Sequence, residues 1–189
     1  RPITVLTNNS YRFMKLILLL LLCCVYPQGY AAELFGVALT GATQGKLRDA
    51  VKKAGIKLVQ QSGKDTFYDV YKGDSVLHKA DHLYLGFVKK DKKFAFAEYE
   101  FSGLKQPVLL NKLNKKYGLA NLVKGKFITD SSYSWVSKGI QITLYQDWRA
   151  YKTRLIYFNP TALMQLRSEQ KLFDITSNQQ VAVYLEKAY

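Results

Sequence analysis

Two short stretches, Lys52-Lys53-Ala54-Gly55-Ile56 and Lys115-Lys116-Tyr117-Gly118-Leu119, decide the predicted fold. Each closes a helix-like segment and precedes segments in which apolar and polar residues alternate. A glycine ends the segment in both, as the left-handed position after a helix prefers. Similar units about sixty residues apart are typical of a duplicated supersecondary structure. This pattern predicts an architecture, and it does not by itself predict an activity.

The first predicted unit covers about residues 39–101, after a predicted strand at 33–39. Thr43 is placed to cap a helix. Its apolar stripe is Leu47, Ala50, Val51 and Ala54. Strands are predicted at 57–61, 66–71, 82–87 and 94–101, with a polar reversal at 89–93 before the last.

The second predicted unit covers about residues 107–168. Pro107 suits the first position of a helix, and strands are predicted at 123–129, 132–137, from 140 onward, and 152–158. The apolar positions Ile140, Ile142 and Leu144 lie 57 residues after Leu83, Leu85 and Phe87. Asn159-Pro160 begins a third predicted helix, and the tail 178–188 is predicted to be helical.

The order of these elements predicts an α+β fold. Two tandem α-β-β-β(β) repeats would form one antiparallel sheet, with helices on one face, in a single domain over 32–189. The last strands of the two units, 94–101 and 152–158, carry complementary side chains and are predicted to be central neighbours. The predicted pairs are Glu100 with Lys152, Glu98 with Arg154, Phe96 with Ile156, and Phe94 with Phe158.

The duplicated order, with its Lys-Lys-x-Gly helix ends and paired strands 83–87 and 140–144, resembles the β-lactamase-inhibitor-like proteins. More distantly, it resembles the small outer-membrane lipoproteins of the SmpA/OmlA type. The resemblance covers about residues 39–167 and matches no residue motif of either family. It implies an open sheet face that holds a partner, and it does not imply which partner.

The beginning of the chain predicts export. Residues 1–13 are interpreted as upstream translation, and 14–31 as a signal peptide whose apolar run of about ten residues is too short to span a bilayer. Cleavage is expected near Ala31, which predicts a periplasmic or secreted protein. Cys23 and Cys24 both lie in that segment. The net charge is +14 for the whole chain, and +11 after the three basic residues of 1–31 are removed.

The aromatic residues predict a binding surface. If helices cover one side of the sheet, the other side exposes rings, and such patches usually mark interfaces. The predicted site residues are Tyr84, Phe94, Phe96, Glu98, Tyr145, Arg154 and Phe158. The alternative is that the chain's own ends, or self-association, bury these rings. The partner would be a protein or an envelope component and not a nucleic acid; an oligomeric state is not predicted.

A second hypothesis uses the positive charge. A basic patch could hold the phosphates of lipid or the acidic groups of glycan, with peripheral membrane contact. The candidate anion-binding residues are Lys112, Lys115, Lys116, Lys124 and Lys126.

Catalysis and metal binding are the weaker predictions. Glu98 and Glu100 would lie about 7 Å apart on one strand face, as in paired-carboxylate hydrolases, but neighbouring basic residues favour a salt-bridged sheet. His78 and His82 are four residues apart in a region that enters a strand, about 13 Å, which is too far to share a metal ion. The sequence therefore predicts a non-enzymatic binding protein with no metal or cofactor, and a glycan or peptide hydrolase is the remaining alternative.

Overall fold

The architecture comes from a computed structural model, which describes residues 30–63, 66–74, 79–125, 131–147 and 150–188. The first segment is a small hairpin, with β1 at Glu33–Leu34 and β2 at Val37–Ala38. Phe35 and Gly36 between them have φ angles of 54° and 75°. The predicted continuous strand over 33–39 is therefore wrong, because a tight turn with two positive φ angles interrupts it.

Within the described residues, three helices and eight further strands follow. The helices are α1 at Gln44–Lys53, α2 at Gln106–Tyr117 and α3 at Pro160–Ala188. The strands are β3 at Leu58–Gln60, β4 at Tyr68–Lys72, β5 at His82–Phe87, β6 at Phe94–Phe101, β7 at Asn121–Val123, β8 at Ser132–Ser137, β9 at Ile140–Asp147 and β10 at Lys152–Phe158.

The helix ends follow the local sequence. Thr43 precedes α1 in an extended conformation, but its side chain makes no capping hydrogen bond. Pro107 lies in the first turn of α2. Gly55 and Gly118 follow α1 and α2 with φ angles of 71° and 87°, which glycine adopts without strain. The predicted third helix and helical tail are one continuous helix, α3.

The eight strands form one antiparallel sheet in the order β3-β4-β5-β6-β10-β9-β8-β7. Each of α1 and α2 is followed by four strands, and the last strands of the two sets, β6 and β10, are neighbours at the centre. This confirms the predicted central pairing of the two strands. We call α1 with β3–β6 the first half and α2 with β7–β10 the second half.

The predicted register of the central pair is wrong by two residues. The observed partners are Arg154 with Glu100, Ile156 with Glu98, and Phe158 with Phe96. A shift of two keeps the side chains of these paired residues on their predicted faces. It also places Arg154 where it contacts both Glu98 and Glu100, while Lys152 reaches Glu100 diagonally.

Both halves contribute to one hydrophobic core on the first face of the sheet. Leu47 and Val51 of α1, with Leu109 and Leu113 of α2, pack against the inward side chains of the strands. Burial alternates along β10, where Thr153, Leu155 and Tyr157 are buried. The two sides of this strand therefore face different environments.

The prediction that helices cover one face holds for α1 and α2 but is wrong for α3. Ala162 and Leu166 of α3 belong to a second cluster with Phe67, Val88 and Ala95, and Phe96 packs against it. Glu169 accepts hydrogen bonds from the backbone N–H groups of Lys89 and Lys90 in the turn after β5. The chain reaches this position because β10 ends at the sheet centre and α3 begins directly after it.

No helix within the described residues has both the length and the apolar character required to cross a membrane.

Candidate functional site: the open face of the sheet

The candidate site lies on the second face of the sheet, which we call the open face. Cross-strand partners and alternating burial place Tyr84, Glu98, Arg154 and Tyr145 on this face, in that order across β5, β6, β10 and β9. All four side chains are half-buried. Four of the predicted site residues are therefore brought together on neighbouring strands, with Glu98 and Arg154 in diagonal contact.

Arg154 is the centre of a charged cluster that consists of Glu98, Glu100, Asp147, Lys152 and Arg154. Its Nη1 donates to Glu98 Oε1, its Nη2 lies 3.2 Å from Glu100 Oε2, and its Nε donates to Asp147 Oδ2 over 3.1 Å. Lys152 Nζ donates to Glu100 Oε1. Three carboxylates and two cations leave the cluster with a formal charge of −1, in a chain whose total is +14.

The cluster changes the acidity of its neighbours. Burial alone would lower the pKa of Arg154, but the hydrogen bond and charge of Glu98 outweigh burial and raise that pKa. The pKa of Tyr84 is raised by burial and then by Glu100 and Glu98. The pKa of Tyr145 is raised by burial and then by Glu98. Both phenols are therefore neutral hydrogen-bonding groups at neutral pH.

A groove runs between α3 and the open face and continues toward the charged cluster. Its first cavity has a volume of about 350 Å³ and its second about 300 Å³, and the two share Tyr68, Phe96 and Glu98. The first is lined by Phe67, Tyr68, Phe96, Glu98, Ile156, Phe158, Leu163, Leu166, Arg167 and Gln170. The second is lined by Tyr68, Tyr84, Phe96, Glu98, Glu100 and Arg154.

Gly86 shapes the floor of the groove. A Cβ atom at this position would lie 2.1 Å from a ring carbon of Phe96. Only glycine lets the Phe96 ring lie directly against β5. The ring then contacts Tyr68, with centroids 6.5 Å apart, and Tyr68 contacts Tyr84, with centroids 5.7 Å apart.

One predicted site residue, Phe94, lies elsewhere. It is only 2% exposed and packs in the main core, so its assignment to the open face is wrong. The register between β5 and β6 shifts at Gly86 and Phe87: Gly86 is opposite Phe96, and Phe87 is opposite Phe94. Such a bulge inserts one extra residue, here Ala95, and reverses the alternation before it. Phe158 lies on the open face, as predicted.

The candidate anion-binding lysines that the structure describes lie on or beside α2 and β7, which do not line the groove. Lys112 and Lys115 are exposed on α2, and Lys124 is exposed just after β7. Lys116 is half-buried, with its Nζ 5.4 Å from the centre of the Tyr117 ring. Lys126 lies outside the described residues.

The residues considered for catalysis are Glu98 and Glu100, and those considered for metal binding are His78 and His82. Glu98 accepts a hydrogen bond from Arg154, and Glu100 forms an ion pair with Arg154 and accepts from Lys152, so both are engaged in the ion pairs of the sheet. His82 Nδ1 is 3.7 Å from Glu100 Oε1 and makes no hydrogen bond within the described structure. His78 lies outside the described residues, and within the described ranges no three His, Cys, Asp or Glu side chains are grouped to hold a metal ion.

Several residues of the groove were missed by the sequence reasoning. Tyr68 and Ile156 lie on the open face by their strand positions, and Leu163 comes from α3. Asp147 joins the charged cluster from β9. Strand alternation could have identified Tyr68 and Ile156. The path of α3 across the face, which completes the groove, has no local sequence signal.

A second polar network lies on the other face, beneath α1. Asp69 is fully buried, and its two carboxylate oxygens accept from Arg48 Nε and Nη2, both over 2.8 Å. The backbone N–H of Ser62 and the Tyr71 hydroxyl also donate to it, over 2.7 and 3.2 Å. Burial would raise the pKa of Asp69, but the hydrogen bonds from Arg48 and Ser62 outweigh it and lower that pKa. This satisfied network fixes α1 and the end of β3 to β4.

Comparisons with known proteins give little further information. Scans of the sequence against protein families and against curated proteins found no match. Among solved structures, a DUF4309 family protein (YjgB) from Bacillus subtilis subsp. subtilis str. 168 is similar, with 16% sequence identity and a TM-score of 0.37. The match covers 64% of this chain and 81% of that one. This family differs from those suggested by the sequence, and so weak a likeness supports no functional argument.

Proposed function

We propose that this protein is a non-enzymatic binding protein that holds its ligand in the groove on the open face. The observation that supports this most directly is the groove itself, two adjoining cavities of about 350 and 300 Å³. The first has largely apolar walls, and the second is lined by aromatic rings and charged side chains. Ligand sites in proteins typically have this size and composition. Tyr68, which lines both cavities, is 38% exposed although it is aromatic.

The proposed binding residues are the predicted site residues other than Phe94, with the α3 side chains that border the groove. Tyr84, Phe96 and Phe158 provide apolar surface, and Glu98 and Arg154 provide fixed charges. The ligand would be a partner protein or a component of the cell envelope. Carboxylates that already accept from a guanidinium suit recognition better than proton transfer, which supports binding over hydrolysis.

We also propose that the two halves are copies of one unit. The support is their shared order of one helix and four strands, arranged symmetrically about the β6–β10 pair. An experimental structure in which the backbones of the halves fail to superimpose would contradict this.

Export is proposed on the sequence of 14–31, most of which lies outside the described residues. The mature protein should then begin near Ala32, and N-terminal sequencing of the expressed protein checks this. A first residue upstream of 14–31 would contradict export by this segment.

The binding proposal is tested by capture. The double variant Tyr68→Ser/Phe158→Ser removes two rings from the groove, and we expect it to lose most of the partner that the immobilised wild-type protein retains from an envelope extract. Val136→Ser is the matched control, because Val136 is on the same sheet face in the second half and is 70% exposed. It should retain the partner fully.

Two further results decide the outcome. Thermal unfolding of each variant shows whether the fold persists, and capture is compared only between folded proteins. Equal capture by the double variant and the control would overturn the proposal. Capture that survives the double variant but falls steeply with salt would instead support binding through the lysines of α2.

A further inference from the structure

The groove has a distinctive chemistry at the point where its two cavities meet. Glu98 lines both cavities, together with Tyr68 and Phe96. Its side chain is 18% exposed, so it is largely enclosed but reachable from the groove. A carboxylate in this position faces whatever occupies either cavity.

The hydrogen bonds of Glu98 leave acceptor capacity. Within the described structure, its side chain has one partner, Arg154 Nη1, on Oε1. A carboxylate offers about four acceptor positions on two oxygens. Glu98 Oε2 therefore remains available to a donor in the groove.

Three aromatic rings surround this carboxylate. The Tyr68 and Tyr84 rings meet edge to face at an interplanar angle of 78°, and Tyr68 and Phe96 meet at 63°. Rings at such angles present both faces and edges to one shared space. The faces of aromatic rings attract cations, and clusters of rings with a nearby carboxylate are typical of sites for ammonium groups.

The neighbouring cations Arg154 and Lys152 do not cancel the preference of the groove for a positively charged ligand. All three kinds of nitrogen on Arg154 already contact carboxylates, from Glu98, Glu100 and Asp147. Lys152 is paired with Glu100. Among the described residues, Arg167 is the other cation that lines the groove, and it is exposed on the rim. Glu98 Oε2 is therefore left to meet one positive charge on a ligand.

The other end of the groove is apolar. Ile156 and Phe158 of β10 face Leu163 and Leu166 of α3 across a cavity of about 350 Å³. That volume suits a short alkyl chain or a single ring, and burial of apolar surface there contributes affinity.

We propose that the groove binds a small organic ammonium ion that carries an apolar substituent. The ammonium group lies against Glu98 Oε2 and the rings of Tyr68, Tyr84 and Phe96, and the substituent lies between β10 and α3. This inference rests on the proposed function, because it names the ligand chemistry of the same groove.

The sign of the ligand charge is the critical test. Hexylammonium and heptanoate carry the same hexyl chain and opposite charges, so they are titrated into the full-length protein by calorimetry and by ¹H–¹⁵N NMR. We expect the cation to bind at least tenfold more tightly, with shifts at Glu98, Tyr84 and Phe158. Tighter binding of heptanoate, through the exposed Arg167 on the groove rim, would overturn the inference.

Two variants assign the site to Glu98. Glu98→Gln removes the charge that faces the groove, and we expect it to weaken binding of the cation about tenfold. Asp147→Asn is the matched control, since it also removes one carboxylate from Arg154 but lines neither cavity. It should change the affinity less than twofold, and equal losses in both variants would contradict the assignment.

Tyr84→Leu provides an independent test of the rings. It should weaken hexylammonium binding at least threefold while hexanol binding changes less. Groove shifts with hexanol and no preference for the cation would overturn the ammonium inference and leave the proposed binding function standing. Failure of the capture experiment, in contrast, would contradict the binding function itself.

Discussion

The two halves of the sheet hold their helices by different chemistry at matching places. In the first half, the strand second from the edge, β4, carries Asp69, which pairs with Arg48 of α1. In the second half, the strand second from the edge, β8, carries Trp135, whose indole N–H donates over 2.9 Å to the carbonyl of Gly118 at the end of α2. One helix is fixed by an ion pair and the other by a large apolar ring with one hydrogen bond.

This difference teaches that the same order of one helix and four strands does not require similar energetics. Burying the Asp69 carboxylate is costly, and it is offset only because four donors contact it. Trp135 removes a large apolar area from water and needs just one polar partner. The contribution of the Asp69 network in the first half to stability should therefore depend on pH, and that of Trp135 in the second half should not.

The largest expected effect is at Trp135. Trp135→Ala removes a ring that is 3% exposed and leaves a cavity between β8 and α2, so the free energy of unfolding should fall by about 4 kcal/mol. Urea denaturation at neutral pH measures this. The adjacent Val136→Ala is the control and should cost less than about 0.5 kcal/mol. A loss at Trp135 as small as that of the control would contradict its structural role.

Asp69→Asn should have the second-largest effect and lower the free energy of unfolding by about 3 kcal/mol, because it leaves the Arg48 guanidinium without its charge partner. The lowered pKa of Asp69 means that its contribution is complete above the unfolded value of about 3.9 and is lost as pH falls through the folded value. The gap between wild type and Asp69→Asn should shrink below about pH 4. The difference in unfolding free energy between wild type and Trp135→Ala should stay constant over the same pH range. A parallel decrease in both variants would contradict the difference in pH dependence between the two halves.

Arg154→Ala tests the centre of the sheet, where the halves meet. The variant removes the only described partner of the Glu98 side chain and leaves Glu100 with Lys152, and we expect a loss of about 2 kcal/mol. The loss should be smaller than at Asp69, because Glu98 and Asp147 are partly exposed and Glu100 keeps Lys152. Denaturation in low and high salt checks it. A loss of unfolding free energy larger than that of Asp69→Asn would contradict the predicted ranking of the two variants.

The smallest expected effect is on the pKa values of two tyrosines, Tyr84 and Tyr145. Glu98→Gln should lower the pKa values of Tyr84 and Tyr145 toward the ordinary value, since the charge of Glu98 raises both. Asp147→Asn should lower the pKa of Tyr145, which its charge also raises. NMR titration of ¹³C-labelled tyrosines resolves the two phenols. Unchanged pKa values in Glu98→Gln would place that carboxylate farther from the rings.

Local pattern was sufficient to predict much of the fold. Alternation placed β5, β6, β8 and β10 at their observed bounds, and glycine placed the ends of α1 and α2. Charge complementarity identified β6 and β10 as neighbours. These features depend on side chains that are close in sequence or directly paired, which is why the sequence reveals them.

The features that were not predicted depend on distant contacts. The register of β6 against β10 is set by how Arg154 shares three carboxylates, one of them on β9. The burial of Phe94 depends on a bulge that the sequence does not mark. The groove depends on α3, whose contacts with the turn after β5 join residues about 80 positions apart. The candidate site was therefore predicted in its rings and charges and not in its shape.

The central β6–β10 ladder has a consequence for folding. Within each half, successive strands pair with near neighbours in sequence, whereas this ladder joins residues more than fifty positions apart. Bringing such distant residues together costs conformational entropy and slows the pairing of β6 with β10. Each half can therefore gain structure early, while this ladder forms late. A protein trapped before that step would display two unpaired inner edges rich in charge and aromatic rings, and these would be its first points of aggregation.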